Sequence, residues 1–222
     1  ILDLTVTGVQ TCALPIWITD DGVRRIDRRD VHPDTAGDQP SGWLDLRSPG
    51  GAADDYMAGP NLEQVALDHL RSGELAGLQS VLATWWAVAA RSAVERTVAE
   101  SEAHPFLPAG TRTVLPGDHL DLGLDNLVGP ADRPDEVRFV DDEWEAAGGV
   151  DRDLAALRTC WKLATALVAA GTRHPWPVST TAAPLGGELC RLLPPPVNPA
   201  RIPALPSPRA GPASTALRRP AP

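Results

Sequence analysis

Lysine is nearly absent from this chain: Lys162 stands alone against nineteen arginines. Cysteine is equally sparse. Cys12, Cys160 and Cys190 are too few and too scattered for a disulfide framework or a tetrahedral zinc site, which points to a reducing compartment and an expected cytoplasmic location. Positive charge does not prevail either. The formal net charge of −9 and the pI near 5 argue against nonspecific binding to nucleic acid or to an anionic membrane. No apolar run reaches the length of a membrane span. Also missing are G-x-S-x-G, H-E-x-x-H, a Walker loop and a dinucleotide fingerprint, and the chain has no internal repeats.

What is present is Ala, Pro, Gly, Asp and Arg, the coding bias of a GC-rich genome such as an actinobacterial one. Val6–Ile16 matches the translation of a common sequencing-library adapter, so residues 1–16 are expected to be foreign to the natural protein. They lack the basic region and cleavage site of a signal peptide. Whatever natural sequence precedes Trp17 is then missing.

Trp17–Ile26 reads as a hairpin about Asp21-Gly22. Residues 32–55 read as loop, with a short strand at Trp43-Leu44 and Leu46. Asn61 is placed to cap a helix ending near Ser72-Gly73, with Gln64 at the capping-box position. A second helix is expected from about Glu74 to Val98, with Trp85 in the core and Trp86 on its flank. His104–Pro116 reads as a connector. Asp151 or Asp153 starts a helix to about Ala170 that stops at Gly171, with Leu154, Leu157, Trp161, Ala164, Leu167 and Val168 on one face. A short helix at 182–193 follows, and the Pro-rich stretch 194–222 is expected to be disordered, or out of frame. The fold class these readings give is α+β, mostly helical.

The chemistry concentrates at His119-Leu-Asp-Leu-Gly-Leu-Asp-Asn126 and Val137–Trp144. An H-x-D-x-x-x-x-N loop runs into a short apolar strand that ends in acidic residues. A carboxylate at Asp121 can take the proton of an attacking hydroxyl, while Asn126 and Asp141 or Asp142 can hold Mg²⁺ against nucleotide phosphates. Taken singly, each residue has a plainer role. Asp125, Asp151 and Asp153 can cap helices or close turns, His119 can bond the loop backbone, and 141–143 can be a solvated strand end. Asp118/Asp121 or Asp141/Glu143 as an acid–base pair lacks any supporting subsite.

The ordered set resembles the aminoglycoside and choline phosphotransferase branch of kinase-like proteins. There, such a loop is followed by an apolar strand ending in a metal-binding Asp. Tyr56–Leu62 resembles the hinge of that family, the helices at 62–98 those beneath it, and Asp153-Leu-Ala155 the start of the next helix. The likeness covers about residues 17–192 and is specific only over 119–155. It implies a truncated kinase-like domain: an N-lobe remnant at 17–55 and a helical C-lobe at 56–193. It also implies Mg²⁺ and ATP as cofactors and a small-molecule or sugar acceptor. Asp121 would be the catalytic base, with His119 orienting the loop backbone. Asn126 and Asp141 would be metal ligands, with Asp142 the fallback, and Asp153 would tie the site loop to the next helix. The chain departs from the family in having no Gly-rich loop and no lysine before residue 162, so Arg24, Arg25, Arg28 or Arg29 would have to serve the phosphates. The fragment alone is therefore expected to be inactive.

A second resemblance rests on Leu122–Leu127, Arg138–Trp144 and His174-Pro-Trp-Pro177. It is to the region that follows methyltransferase or glycosyltransferase domains in bacterial surface-polysaccharide assembly. It implies a catalytic domain upstream of Trp17 and a noncatalytic positioning role for this segment.

Overall fold

The computed structural model describes residues 42–44, 59–140, 144–177 and 181–198, together with the backbone of residues 16–18, 24–26, 45–46 and 54–55. Helices and small antiparallel sheets make an α+β arrangement, with a main apolar core and a smaller cluster of Val98, Leu107 and Val114 under β5 and β6.

Strands β1 (Ile16–Ile18) and β2 (Arg24–Ile26) form the expected hairpin, with Trp17 opposite Arg25. The Asp21-Gly22 turn lies outside the described residues. β3 (Leu44–Leu46) is the short strand read from the sequence, and β4 (Asp54–Asp55) adds to the free side of β2. Asn61 then caps α1 (Leu62–Ser72), its side-chain oxygen accepting the Gln64 N–H at 2.9 Å. Gly73 stops this helix at φ +76, a left-handed conformation that glycine adopts without a Cβ penalty. Its N–H and that of Glu74 close back onto Leu70 and His69.

The second helix, α2 (Leu75–Ser92), is shorter than the apolar periodicity suggests. Val94–Val98 is strand β5, and the supposed connector after it carries β6 (Gly110–Leu115), paired antiparallel from Val94↔Val114 to Val98↔Gly110. The reason lies in the side chains. Val94, Thr97 and Val98 are β-branched and stiff at χ1, and β6 offers them a partner that helical spacing alone does not reveal. Trp85 is fully buried on α2, while Trp86 packs on the flank with the Arg152 guanidinium 4.4 Å over its ring.

After β6, two 3-10 turns (Gly117–Asp121 and Leu124–Asn126) lead into the two-residue strands β7 (Leu127–Val128) and β8 (Arg138–Phe139), which pair antiparallel. β9 (Trp144–Ala146) returns to pair with β3, and β10 (Val150–Asp151) completes the order β10-β6-β5. Between them Gly149 sits at φ +105 against the Leu115 carbonyl, where any Cβ would overlap that oxygen.

Asp151, not Asp153, caps α3 (Arg152–Ala169), accepting the Leu154 N–H at 3.0 Å. Burial pushes the Asp151 carboxyl above its ordinary range, although the bond from Leu154 and the Arg112 charge oppose the shift. A carboxyl raised on folding favours the folded state most while it is protonated, and that contribution is lost as pH rises through its folded pKa. Asp151→Asn keeps the cap acceptor without the buried charge. It is therefore expected to hold or raise the urea midpoint at pH 7, whereas Asp151→Ala loses about 1–2 kcal/mol. Equal losses in both variants would mean that the cap is not what Asp151 contributes.

On α3, Leu154, Leu157, Ala164 and Leu167 face the core as expected. Trp161 and Val168 do not, with relative exposures of 42% and 45%. Gly171, at φ +58, ends the helix. α4 (Ala182–Leu192) lies along α3 at close range: a Cβ on Gly186 would stand 3.5 Å from the Trp161 Cα. The packed chain also continues beyond 193, because Val197 is buried and its N–H donates to the Cys190 carbonyl at 3.1 Å. Residues 199–222 lie outside the described part. No helix among the described residues is long and apolar enough to cross a membrane.

Candidate functional site

The loop from Asp118 to Leu127 is built by alternation. Leu120, Leu122, Leu124 and Leu127 are buried in the core, and the residues between them face outward or toward α3. Two helices grip one backbone atom: the Trp85 indole N–H of α2 donates to the Leu122 carbonyl at 2.8 Å, and the Thr159 hydroxyl of α3 donates to the same oxygen at 3.1 Å. That doubly held carbonyl fixes the loop's height above the core.

Around it lies a charge cluster. Asp121 Oδ1 is 2.9 Å from the Arg158 guanidinium and 3.2 Å from Lys162 Nζ, and Lys162 also reaches Asp125 Oδ2 at 2.7 Å. Arg158 donates in addition to the Leu120 carbonyl. Glu63, at the start of α1, is near enough to belong. Burial raises its carboxyl pKa, the Asp125 charge adds to the rise and Lys162 counters it. Asp125 Oδ1 is buried with no hydrogen-bond partner among the described residues, in space that a Cβ on Gly123 would take. Asp121, Arg158 and Lys162 line a shallow concavity together with Leu120, Leu122, Gly123, Ala155 and Thr159.

Asn126 sits at the outer end of the loop. Its side-chain Nδ2 donates to the Asp121 backbone carbonyl at 3.0 Å, and its own carbonyl accepts the Val140 N–H at 3.0 Å. The β7–β8 register thus sets Asn126 against the residue that precedes Asp141. Asp141 and Asp142 themselves lie outside the described residues, as do Arg28, Arg29 and the side chains of Arg24 and Arg25.

His119 makes its described contacts to side chains. Nδ1 pairs with Asp118 at 2.7 Å, Nε2 lies 3.3 Å from the Ser92 hydroxyl, and the ring packs on Phe139. It thereby links the end of α2 to β8. Asp153 pairs with Arg152 at 3.2 Å, and the loop is fastened to α3 by Arg158, Thr159 and Lys162.

Sequence reasoning did not assign those three residues to the site. One signal was available, since the sole lysine and Arg158 stand four apart on the helix that follows the loop. The distance between that helix and the loop in sequence hid the rest.

Carboxamide and carboxylate oxygens are the hard donors Mg²⁺ takes, and it commonly needs only one or two from protein, with water and phosphate completing its shell. Asn126, with its Nδ2 committed to Asp121, retains such an oxygen. Among the described residues no three His, Cys, Asp or Glu side chains gather as a metal site. No family model, curated protein or solved structure matches this chain.

Proposed function

We propose that this chain is the loop-and-helix portion of a kinase-like transferase module, binding Mg²⁺–nucleotide and serving phosphoryl transfer to a small hydroxylated or sugar-like acceptor. The observation that carries the reading is the unit made by Asp121, Asn126 and Val140. One carboxamide bonds the backbone of the candidate base, and its own backbone holds the residue leading into Asp141. Bound Mg²⁺–ATP would supply the electrophilic phosphorus and the charge neutralisation. Asp121 would accept the acceptor hydroxyl's proton, its described contacts all falling on Oδ1. Asn126 and Asp141 would supply the metal's protein oxygens.

A thermal-shift titration with ATP and Mg²⁺ tests this. Saturation at about a hundred times Kd adds about 2.7 kcal/mol, a rise of roughly 5–10 °C for a domain of this size. Asp141→Ala is expected to lose that rise while keeping its ligand-free midpoint. A wild-type midpoint indifferent to Mg²⁺–ATP would count against nucleotide binding.

One observation favours a second reading. Asp121 is held by two cations from α3, an arrangement suited to a fixed scaffold. On that reading the segment is a noncatalytic helical module that positions a bacterial methyl- or glycosyltransferase domain in surface-polysaccharide biosynthesis. The same titration separates the two, because a scaffold shows no ligand-dependent rise.

A further inference from the structure

Cys160 and Cys190 look unrelated in the sequence, yet α3 and α4 bring them together. Both are buried, at 0% and 1% relative exposure. Gly186 lets α4 approach the α3 backbone at Trp161, the neighbour of Cys160, and Cys190 lies one helical turn beyond Gly186. Both lie in the same buried core on the α3–α4 seam, near enough for each thiol to shift the other's titration.

We propose that Cys160 and Cys190 are an oxidation-sensitive dithiol that closes into an internal disulfide on reaction with a small disulfide of the glutathione class. The roles within the pair are unequal. Interaction with Cys160 and the adjacent Arg191 charge draw the Cys190 thiol down against its burial, while interaction with Cys190 and full burial push Cys160 well up. Cys190 is therefore the attacking sulfur, since the thiolate is the nucleophile. Its thiolate attacks one sulfur of oxidised glutathione, forming a mixed disulfide and releasing one glutathione thiolate. Cys160 gives up its proton to solvent and attacks Cys190 Sγ, and the second glutathione leaves as thiolate. Two protein thiols are oxidised and one glutathione disulfide is reduced to two glutathiones. Because Cys190 is buried, the first attack requires α4 to open locally, the kind of partial opening native proteins undergo below global unfolding.

The pair does not depend on the transferase reading, but it acts on the same helix. Cys160 directly follows Thr159 and lies between Arg158 and Lys162, which hold the candidate loop.

The test uses the full chain carrying Cys12→Ser, so that only this pair can react. It is incubated with oxidised glutathione, unfolded, alkylated and mapped by mass spectrometry after trypsin. The expected product is a monomer about 2 Da lighter, from loss of two hydrogens. It carries a 159–162 peptide joined to a 174–191 peptide, and dithiothreitol reverses the link. In Cys160→Ser the reaction is expected to stop at glutathione on Cys190, and in Cys190→Ser no adduct is expected on Cys160. Full alkylation of both cysteines after oxidation, or links only between two chains, would overturn the proposal. So would a glutathione adduct that persists on Cys190 while Cys160 stays free.

Discussion

Trp85→Ala is expected to cost about 3–5 kcal/mol of folding stability, the largest single loss among the residues around the loop. Two effects add. The indole is fully buried in the main apolar core, so its removal leaves a cavity that the close-packed surroundings can only partly close. It also withdraws one of the two donors on the Leu122 carbonyl. Thr159 keeps that oxygen bonded, so the carbonyl is not orphaned. Trp85→Phe, which keeps most of the volume and loses only the N–H, should therefore cost much less, about 1–2 kcal/mol. Urea unfolding of the two variants reads the difference. Equal losses would mean that the hydrogen bond outweighs the packing, against the geometry described here. Against the 5–15 kcal/mol typical of a whole domain, the alanine variant sits close to the edge of folding.

On the proposed transferase reading, Asp121→Asn in the intact protein lowers phosphoryl transfer by about 10²–10⁴-fold, the usual loss on removing a general base. The side chain keeps its shape and can still accept from Arg158 and Lys162, so the loop should stay in place. Nucleotide binding, read as the Mg²⁺–ATP thermal shift, should change little. That split between turnover and binding marks a base rather than a structural residue. If turnover and binding fell together, Asp121 would be acting through the ion-pair cluster that fastens the loop to α3. Arg158→Met and Lys162→Met would then reproduce the loss.

Much of the local structure was written in local signals. Asn61, Gly73, Asp151 and Gly171 mark helix ends by capping chemistry that needs no tertiary context, and each sits where that chemistry puts it. The hairpin strands at 16–26 and the strand at Leu44 followed from alternation. The failures share another cause. Val94–Val98 continues the apolar run of α2 and becomes a strand only because β6, more than ten residues on, pairs with it. Trp161 and Val168 fit a helical stripe, but the core reaches only part of that face of α3. Val197 lies in a Pro-rich stretch that composition assigns to disorder or a loosely extended chain, yet it reaches the core beside α4. At the candidate site the loop was legible because its polar residues are adjacent in sequence. The cations that hold it were not, since Arg158 and Lys162 arrive from a helix some forty residues away and meet Asp121 only on folding.

The most direct measurement replaces Mg²⁺ with Mn²⁺ and reads paramagnetic broadening of backbone amide signals in the presence of ATP. A site formed by Asn126 and the residues after Val140 predicts strong, ATP-dependent broadening at Asp121, Asn126 and Val140. Broadening that ignores ATP, or that appears elsewhere while Asn126 and Val140 remain sharp, would contradict the assignment of this loop as the metal–nucleotide site.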